Sequence, residues 1–391
     1  MEIRRLAPGE MRLKRLVDAV CYLDYEPEDP HGNSGGREDV WGAFDDGGNL
    51  CSGLAVWPFT MMFHRKPVLM GGVGGVASLP EARNRGHVRA LFKNVLEDMR
   101  EQRQAFSVVR SPFSHAYYRK FGYEHVYTRS VADIPMEALS GYPFPDNIKP
   151  YAADSPFREI MDVYAAFVQN KNLAIVRSES DWRRLLDRDP YARREFTYLH
   201  RGANGRADAY IMYKPEKGDG SRLIAEELAW SEPAGLWAML GFVHGLRTEF
   251  SGLRWTVPDS PDVFALFPEA WDVSVRREPA GMLRIVDLPR ALAALDAPAT
   301  NGRAVLDVRD GFCPWNTGKY AVEWEDGVLS VHPSAERADV VTDIAALAQF
   351  VAGYVSPAES AYKREGASVR SGTKALAALF PKRPMYMMED F

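Results

Sequence analysis

The spacing of apolar positions in the first 135 residues predicts strands followed by helices. Strand-like runs occupy residues 2–5, 40–44, 54–63 and 68–79, and turn residues between the last three favour an antiparallel meander. A helix is predicted at 8–22. From residue 88 the apolar period changes to that of an amphipathic helix of about five turns. Its stripe consists of Val88, Leu91, Phe92, Val95, Leu96 and Met99.

The middle of the chain repeats a similar order of elements. Helices are predicted at 156–170, 180–186 and 235–248, and strands at 195–201, 207–213 and 223–230. We therefore interpret this segment as a second copy of the first fold. The proline-rich residues 135–150 are predicted to be a linker between the two.

The last hundred residues follow another pattern. Helices are predicted at 288–295, 343–354 and 371–379, and an Asp-Gly turn at Asp326 predicts a hairpin. Residues 381–391 form an extended tail. Because 391 residues exceed one ordinary hydrophobic core, two or three domains are expected. The changes of pattern along the chain favour three, at 1–140, 141–286 and 287–391.

Composition excludes several classes of function. A net charge of −5 gives no positive field for a phosphate backbone, so no nucleic-acid partner is expected. Three cysteines without ligand spacing indicate neither a metal site nor a disulfide framework. No leader sequence or long apolar run is present, which predicts a cytoplasmic protein without a membrane partner.

The candidate chemistry lies where the strand at 68–79 leads into the long helix. The connecting residues read Arg-Asn-Arg-Gly-His-Val at 83–88. Amide groups at a helix amino end point at an incoming anion, and glycine lets the anion approach the backbone. An arginine-rich helix start on a solvated surface is the plain alternative, but arginine there opposes the helix dipole. The pattern favours a pyrophosphate site.

This phrase resembles the Arg/Gln-x-x-Gly-x-Gly/Ala loop of GNAT-family acetyltransferases. Arg83 and Gly86 match the motif, whereas Val88 replaces the usual small residue. The resemblance implies acetyl-CoA as the cosubstrate. The residues that it places around acetyl-CoA are Gly75, Val76, Ala77, Arg83, Asn84, Arg85, Gly86, His87, Val88, Phe113 and Ser114.

A second motif begins at Tyr118. The sequence Tyr-Arg-Lys-Phe-Gly-Tyr at 118–123 resembles the Tyr-x-x-Phe-Gly-Tyr/Phe element of many GNAT members, whose tyrosine lies beside the thioester sulfur. A phenol can protonate the departing thiolate, so Tyr118 is the candidate general acid. Tyr117 is one residue away, and only the register of the motif favours Tyr118.

The whole chain resembles the Eis family of N-acetyltransferases. The segments 281–288, 310–318 and 379–381 are similar to that family's carboxy-terminal domain. The resemblance implies an α+β (mixed α/β) fold, with tandem GNAT folds around a mixed, splayed sheet and then an SCP2-like (sterol-carrier-protein-like) domain. It also implies that the α-carboxylate of the terminal residue, Phe391, is the general base. Glu389 and Asp390 either add to an acidic pocket or are solvated surface residues.

The predicted function is acetyl-CoA-dependent N-acetyl transfer to a primary amine, such as an aminoglycoside, a polyamine or a lysine-like acceptor. Two alternatives stay open: a protein or peptide lysine as the acceptor, or a CoA- or lipid-binding protein without catalysis. The middle segment lacks a second loop of the Arg-x-x-Gly type and should not bind acetyl-CoA. The family forms homo-oligomers, commonly hexamers, and we expect the same of this chain.

Overall fold

The structure is a computed structural model, and it describes residues 1–22, 37–110, 115–151, 157–187, 189–216, 222–362, 366–389 and 391. The described chain forms two compact units. Unit 1 contains Met1–Tyr127, Ala280–Arg383 and Glu389–Phe391, and unit 2 contains Thr128–Pro279 and Pro384–Met388. The division at residues 140 and 286 stays a sequence-based prediction.

Strands and helices alternate along most of the chain. The strands in the described ranges are β1 (Glu2–Arg5), β2 (Asp39–Phe44), β3 (Leu50–Phe63), β4 (Lys66–Ser78), β5 (Phe106–Val109), β6 (Glu124–Pro135), β7 (Ile148–Pro150), β8 (Phe196–Arg201), β9 (Ala207–Pro215), β10 (Arg222–Trp230), β11 (Gly252–Val257), β12 (Ser274–Ile285), β13 (Gly302–Arg309), β14 (Gly318–Glu325), β15 (Val328–Pro333), β16 (Val340–Asp343) and β17 (Ala367–Val369). The α-helices are α1 (Met11–Cys21), α2 (His87–Glu101), α3 (His115–Arg119), α4 (Arg158–Val168), α5 (Glu179–Leu186), α6 (Pro190–Arg193), α7 (Pro233–Gly245), α8 (Leu288–Ala293), α9 (Ile344–Ala352) and α10 (Thr373–Leu379).

In unit 1 the strands β1 to β5 lie side by side in chain order, and the end of β12 continues the sheet beside β5. All neighbours are antiparallel except β4 and β5, which run parallel. The meander and the mixed sheet are therefore confirmed. Parallel neighbours require a crossover, and α2 provides it.

Two helices cover opposite faces of this sheet. α2 buries the predicted stripe against Val73 and its neighbours, and Val88 at its start is only partly buried. α1 packs Val17 against Phe44 and Ala77. Both faces of the sheet are thus covered, so β4 lies between two helices.

A smaller sheet in unit 1 carries the carboxy-terminal part of the chain. Its order is β15-β14-β13-β16-β17, with β13 and β16 parallel. Asp326 and Gly327 join β14 to β15 with positive φ angles of 50° and 81°. This conformation suits Asp-Gly, and the predicted hairpin is confirmed. α9 is almost entirely buried.

A buried ion pair lies at the start of this part of the chain. Arg284 on β12 is 0% exposed, and it donates to Asp310 at 2.6 Å. Asp310 also accepts the backbone N–H groups of Phe312 and Cys313. The carboxylate therefore organises the turn after β13 and ties it to β12.

We expect Arg284→Met to destabilise the protein by about 3–5 kcal/mol, because it leaves the Asp310 carboxylate buried without its cation. Urea unfolding would measure the loss. Arg303→Gln is the matched control, since Arg303 forms an ion pair with Glu336 on the surface and should cost at most about 1 kcal/mol. Equal losses in the two variants would contradict the expectation.

Unit 2 contains a sheet with the order β6-β11-β10-β9-β8-β7. Only β10 and β11 pair in parallel among its registered pairs. α7 packs on this sheet, burying residues such as Met239 and Leu240. Pro384–Met388 of the tail belongs to this unit, where the Asn172 N–H donates to the carbonyl of Pro384 and the Asn172 carbonyl accepts from the N–H of Tyr386.

The linker prediction for residues 135–150 is wrong in part. Met136 and Leu139 form a buried 3-10 turn, and β7 ends at Pro150. The prolines end short elements in this stretch and do not prevent packing. Among the described residues, no helix is long and apolar enough to cross a membrane.

Candidate functional site

The loop at 83–88 ends at the amino terminus of α2. Asn84 and Gly86 both have positive φ angles, 63° and 83°. Gly86 adopts this conformation without the steric cost that a Cβ brings. In the described part of the chain no side chain caps the helix. Its first N–H groups therefore face outward, as an anion site requires.

The side chains of this loop divide into exposed and buried. Arg83, Asn84 and Arg85 are exposed, and Arg83 donates to the carbonyl of Ser78 at 3.3 Å. His87 points inward, is 9% exposed and has Nδ1 3.5 Å from the Ser52 hydroxyl. The His87 side chain is thus turned away from the helix end, while the two arginines beside it are exposed.

β4 separates from β5 close to this loop. The two strands pair only between Met70 and Val73 on β4. The register between β3 and β4 then shifts after Gly74, and Gly75 has a φ of 57°. The strand therefore bulges and leaves its neighbour, so its backbone groups at 74–77 do not pair with β5. The fold class, with its splayed mixed sheet, is confirmed.

The predicted strand residues Gly75, Val76 and Ala77 lie in and just after this bulge. The carbonyl of Val76 accepts a hydrogen bond from the Tyr22 hydroxyl at 3.0 Å. Ala77 is buried and pairs with Gly53 on β3. Gly75 and Val76 are thus the residues whose backbone is diverted from the sheet.

A charged pair lies under the bulge. Lys14 on α1 is 5% exposed and donates to Asp18 at 2.5 Å. Its Nζ would lie 3.2 Å from a Cβ on Gly75. Burial lowers the pKa of Lys14 and raises that of Asp18, against the opposing effect of each charge on the other. The i,i+4 spacing of the two residues in the helix predicted at 8–22 was the sequence signal for this pair.

Tyr118 on α3 points into the core near α2. It is 9% exposed and meets Phe92 and Tyr123 edge to face, with ring centroids 6.0 and 6.2 Å apart. Burial raises its pKa to about 12. Tyr117 is 36% exposed. The inward position of Tyr118 agrees with the register of its motif.

The last residue of the chain lies against β3 and β4. The Phe391 ring is 5.4 Å from that of Phe59 and 6.1 Å from that of Trp57, measured between centroids. Its carboxyl group lies beside Gly74, immediately before the bulge. Arg110, which follows β5, donates to the carbonyl of Glu389. The terminal carboxylate is thus held beside the diverted strand.

Two predicted residues, Phe113 and Ser114, lie outside the described residues. Sequence reasoning also missed five neighbours of the tail: Trp57, Phe59, Gly72, Gly74 and Arg110. A signal existed for four of them. Trp57 and Phe59, and Gly72 and Gly74, are each two positions apart in predicted strands, so each pair shares one face.

Unit 2 has a similar strand separation with different chemistry. β10 pairs with β11 only at residues 222–225, and its register against β9 shifts before Glu227. Glu227 is buried in an ion pair with Arg177 at 2.6 Å and accepts from the Tyr210 hydroxyl. α7 begins after Glu232. That this segment does not bind acetyl-CoA stays a prediction from its sequence.

No metal-binding group of three or more histidine, cysteine, aspartate or glutamate side chains occurs in the described ranges. The described residues of the site include an uncapped helix end, a diverted strand, a buried phenol and a terminal carboxylate.

Three family models match the chain in order. An acetyltransferase (GNAT) domain matches residues 3–126, a second acetyltransferase (GNAT) domain matches 173–285, and a sterol carrier protein domain matches 288–388. An uncharacterised N-acetyltransferase of Streptomyces coelicolor is 26% identical over 335 residues, 80% of this chain and 78% of that one. Another from Streptomyces avermitilis is 24% identical over 311 residues, 73% and 75% of the two chains.

Solved structures show the same fold. A GCN5-related N-acetyltransferase from Anabaena variabilis superposes with a TM-score of 0.88 at 20% identity, covering 100% of both chains. Eis1 from Mycobacterium abscessus gives 0.82 at 19% identity, also covering 100% of both.

The predicted family resemblance is confirmed by these matches, and the enzyme class with it. The chain contains two acetyltransferase (GNAT) domains followed by a sterol carrier protein domain, and these domains make it an acyltransferase.

Proposed function

We propose that the protein transfers the acetyl group of acetyl-CoA directly to a primary amine while both substrates are bound. The observation that carries this proposal is the position of the Phe391 carboxylate beside Gly74, where β4 leaves β5. An attacking amine needs a proton acceptor at this point. A half-buried chain terminus beside a strand bulge has no evident structural purpose.

Acetyl-CoA is a substrate in this reaction, and the described residues suit its parts. The uncapped start of α2, with Arg83 and Arg85 exposed beside it, would hold the pyrophosphate. The diverted backbone at Gly75 and Val76, with the adjoining Ala77, would hydrogen-bond the pantetheine arm in place of β5. Phe113 and Ser114 stay predicted contacts from the resemblance.

Two groups would transfer protons, one when the amine attacks and one when the thiolate departs. The Phe391 carboxylate would take the proton of the amine, and Tyr118 would protonate the departing thiolate. An α-carboxyl group has a pKa of about 3.5 against about 10 for an ammonium group, so a water relay suits it better than direct abstraction. Its charge also attracts the cationic amine.

The acceptor is proposed to be a small amine, such as an aminoglycoside, a polyamine or a lysine-like compound. The terminal carboxylate and the net charge of −5 favour a cation. A cytoplasmic location and a homo-oligomeric assembly stay predictions from the sequence and the resemblance.

Acetyl-CoA at a hundred times its Kd should stabilise the folded protein by about 2.7 kcal/mol, because it binds the folded state alone. The measurement is the Tm with and without acetyl-CoA, followed by thiol release with spermidine or kanamycin. The double variant Arg83→Gln, Arg85→Gln should lose much of the shift, whereas Arg103→Gln, which changes an arginine outside the proposed pyrophosphate loop, should keep it. An unchanged Tm together with no thiol release would rule the proposal out.

A further inference from the structure

The environment of Phe391 is built from three consecutive strands of unit 1. Trp57 and Phe59 on β3 contact the ring, Gly72 and Gly74 on β4 lie under it, and Arg110 follows β5. We call these five residues the terminal-residue seat. Chain ends are usually poorly ordered. A loose tail would not need contacts with five residues in or next to three strands.

The two glycines leave the space that the terminal residue occupies. A Cβ on Gly72 would lie 2.9 Å from two atoms of the Phe391 ring. A Cβ on Gly74 would lie 2.5 Å from the carboxyl carbon and from a carboxyl oxygen. Such contacts are too short for any side chain. Glycine weakens the interior of a strand. The close approach of Phe391 gives a reason for the glycines at positions 72 and 74.

Arg110 fixes the tail two residues before its end. Its guanidinium group donates to the backbone carbonyl of Glu389. This hydrogen bond depends on where the carbonyl lies, whichever side chain residue 389 carries. From there two residues span at most about 7 Å, which sets how far the carboxylate reaches.

We infer that Arg110 is a positioning residue for the Phe391 carboxylate. Trp57 and Phe59 contact the ring, the two glycines leave room for it, and Arg110 sets the distance to the chain end. The inference rests on the proposed function, in which this carboxylate takes part in turnover.

Arg110→Gln tests the inference. Loss of a charged donor to the tail should lower kcat about tenfold and leave the KM for acetyl-CoA unchanged. It should also make carboxypeptidase A release phenylalanine from the folded protein about tenfold faster, because the tail leaves the seat more often. Arg103→Gln is the matched control, since Arg103 precedes β5 as Arg110 follows it.

Gly74→Ala provides a second variant, with Gly9→Ala as its control because a Cβ on Gly9 would meet nothing within 4 Å. We expect Gly74→Ala to behave like Arg110→Gln in both assays. Were it to unfold, as its Tm would reveal, Arg110→Gln alone decides.

Unchanged phenylalanine release in Arg110→Gln would overturn the inference, whatever happens to kcat. Faster release with an unchanged kcat would overturn the positioning role. The carboxypeptidase assay does not depend on acetyl transfer. If the wild-type protein has no acetyltransferase activity, the proposed function is contradicted, and the rate of phenylalanine release still tests the terminal-residue seat.

Discussion

Deleting Phe391 should reduce turnover about 100-fold to 10,000-fold, the range expected for loss of a positioned general base. The deletion moves the carboxylate one residue back along the tail, away from its place beside Gly74. Acetyl-CoA binding should persist, because the start of α2 and the bulge of β4 do not contain Phe391. Single-turnover kinetics and acetyl-CoA titration by calorimetry would separate the two effects.

A substitution provides the control for this deletion. Phe391→Tyr keeps the carboxylate, the chain length and an aromatic ring for Trp57 and Phe59, so it should retain most of the activity. A carboxy-terminal tag should behave like the deletion, and an amino-terminal tag like the wild type. Full activity in the deleted or tagged protein would remove the carboxylate from the mechanism.

Tyr118→Phe should lower kcat about 100-fold, because the departing thiolate loses its proton donor. The change removes one hydroxyl group and keeps the ring contacts with Phe92 and Tyr123. Stability should therefore change little. Tyr117→Phe, at a half-exposed position, should leave kcat unaltered, which separates the two candidate tyrosines. Equal effects at the two positions would contradict the assignment.

The same residue gives a dependence on pH. Burial raises the pKa of Tyr118 to about 12, against about 10 in an unfolded chain. The folded enzyme should therefore keep the phenol proton, and its donor role, up to about pH 11. The contribution of Tyr118 to the free energy of unfolding is complete below pH 10. It is lost as the pH rises through about 12. Urea unfolding between pH 9 and 11, wild type against Tyr118→Phe, would measure it.

Patterns among neighbouring residues correctly predicted several elements of the fold. The helical stripe of α2, the Asp-Gly hairpin and the loop at Gly86 follow from spacing and turn chemistry. β11 and β12 were missed. β12 contains Pro279 and Gly281 among four charged residues, a composition that resembles a loop, and it becomes a strand because β5 provides a partner for residues 282–285.

The candidate site divides in the same way. Physical chemistry alone indicated an anion site at 83–88, and the motif register singled out Tyr118. The position of Phe391 came from the family resemblance, since no local rule brings a terminus to a strand some 300 residues earlier. The contact of Arg110 could not be predicted, because it is a hydrogen bond to the backbone carbonyl of Glu389 and a backbone carbonyl is present in every residue type.

The terminal carboxylate beside Gly74 belongs to the backbone. Under the proposed mechanism, the position of the stop codon therefore encodes the catalytic base, and no codon for a particular amino acid does. Every missense mutation at position 391 preserves the carboxylate, and one that keeps an aromatic ring also preserves the contacts with Trp57 and Phe59. A stop-codon readthrough, or a nonsense mutation one codon upstream, removes the base without altering any other residue of the site.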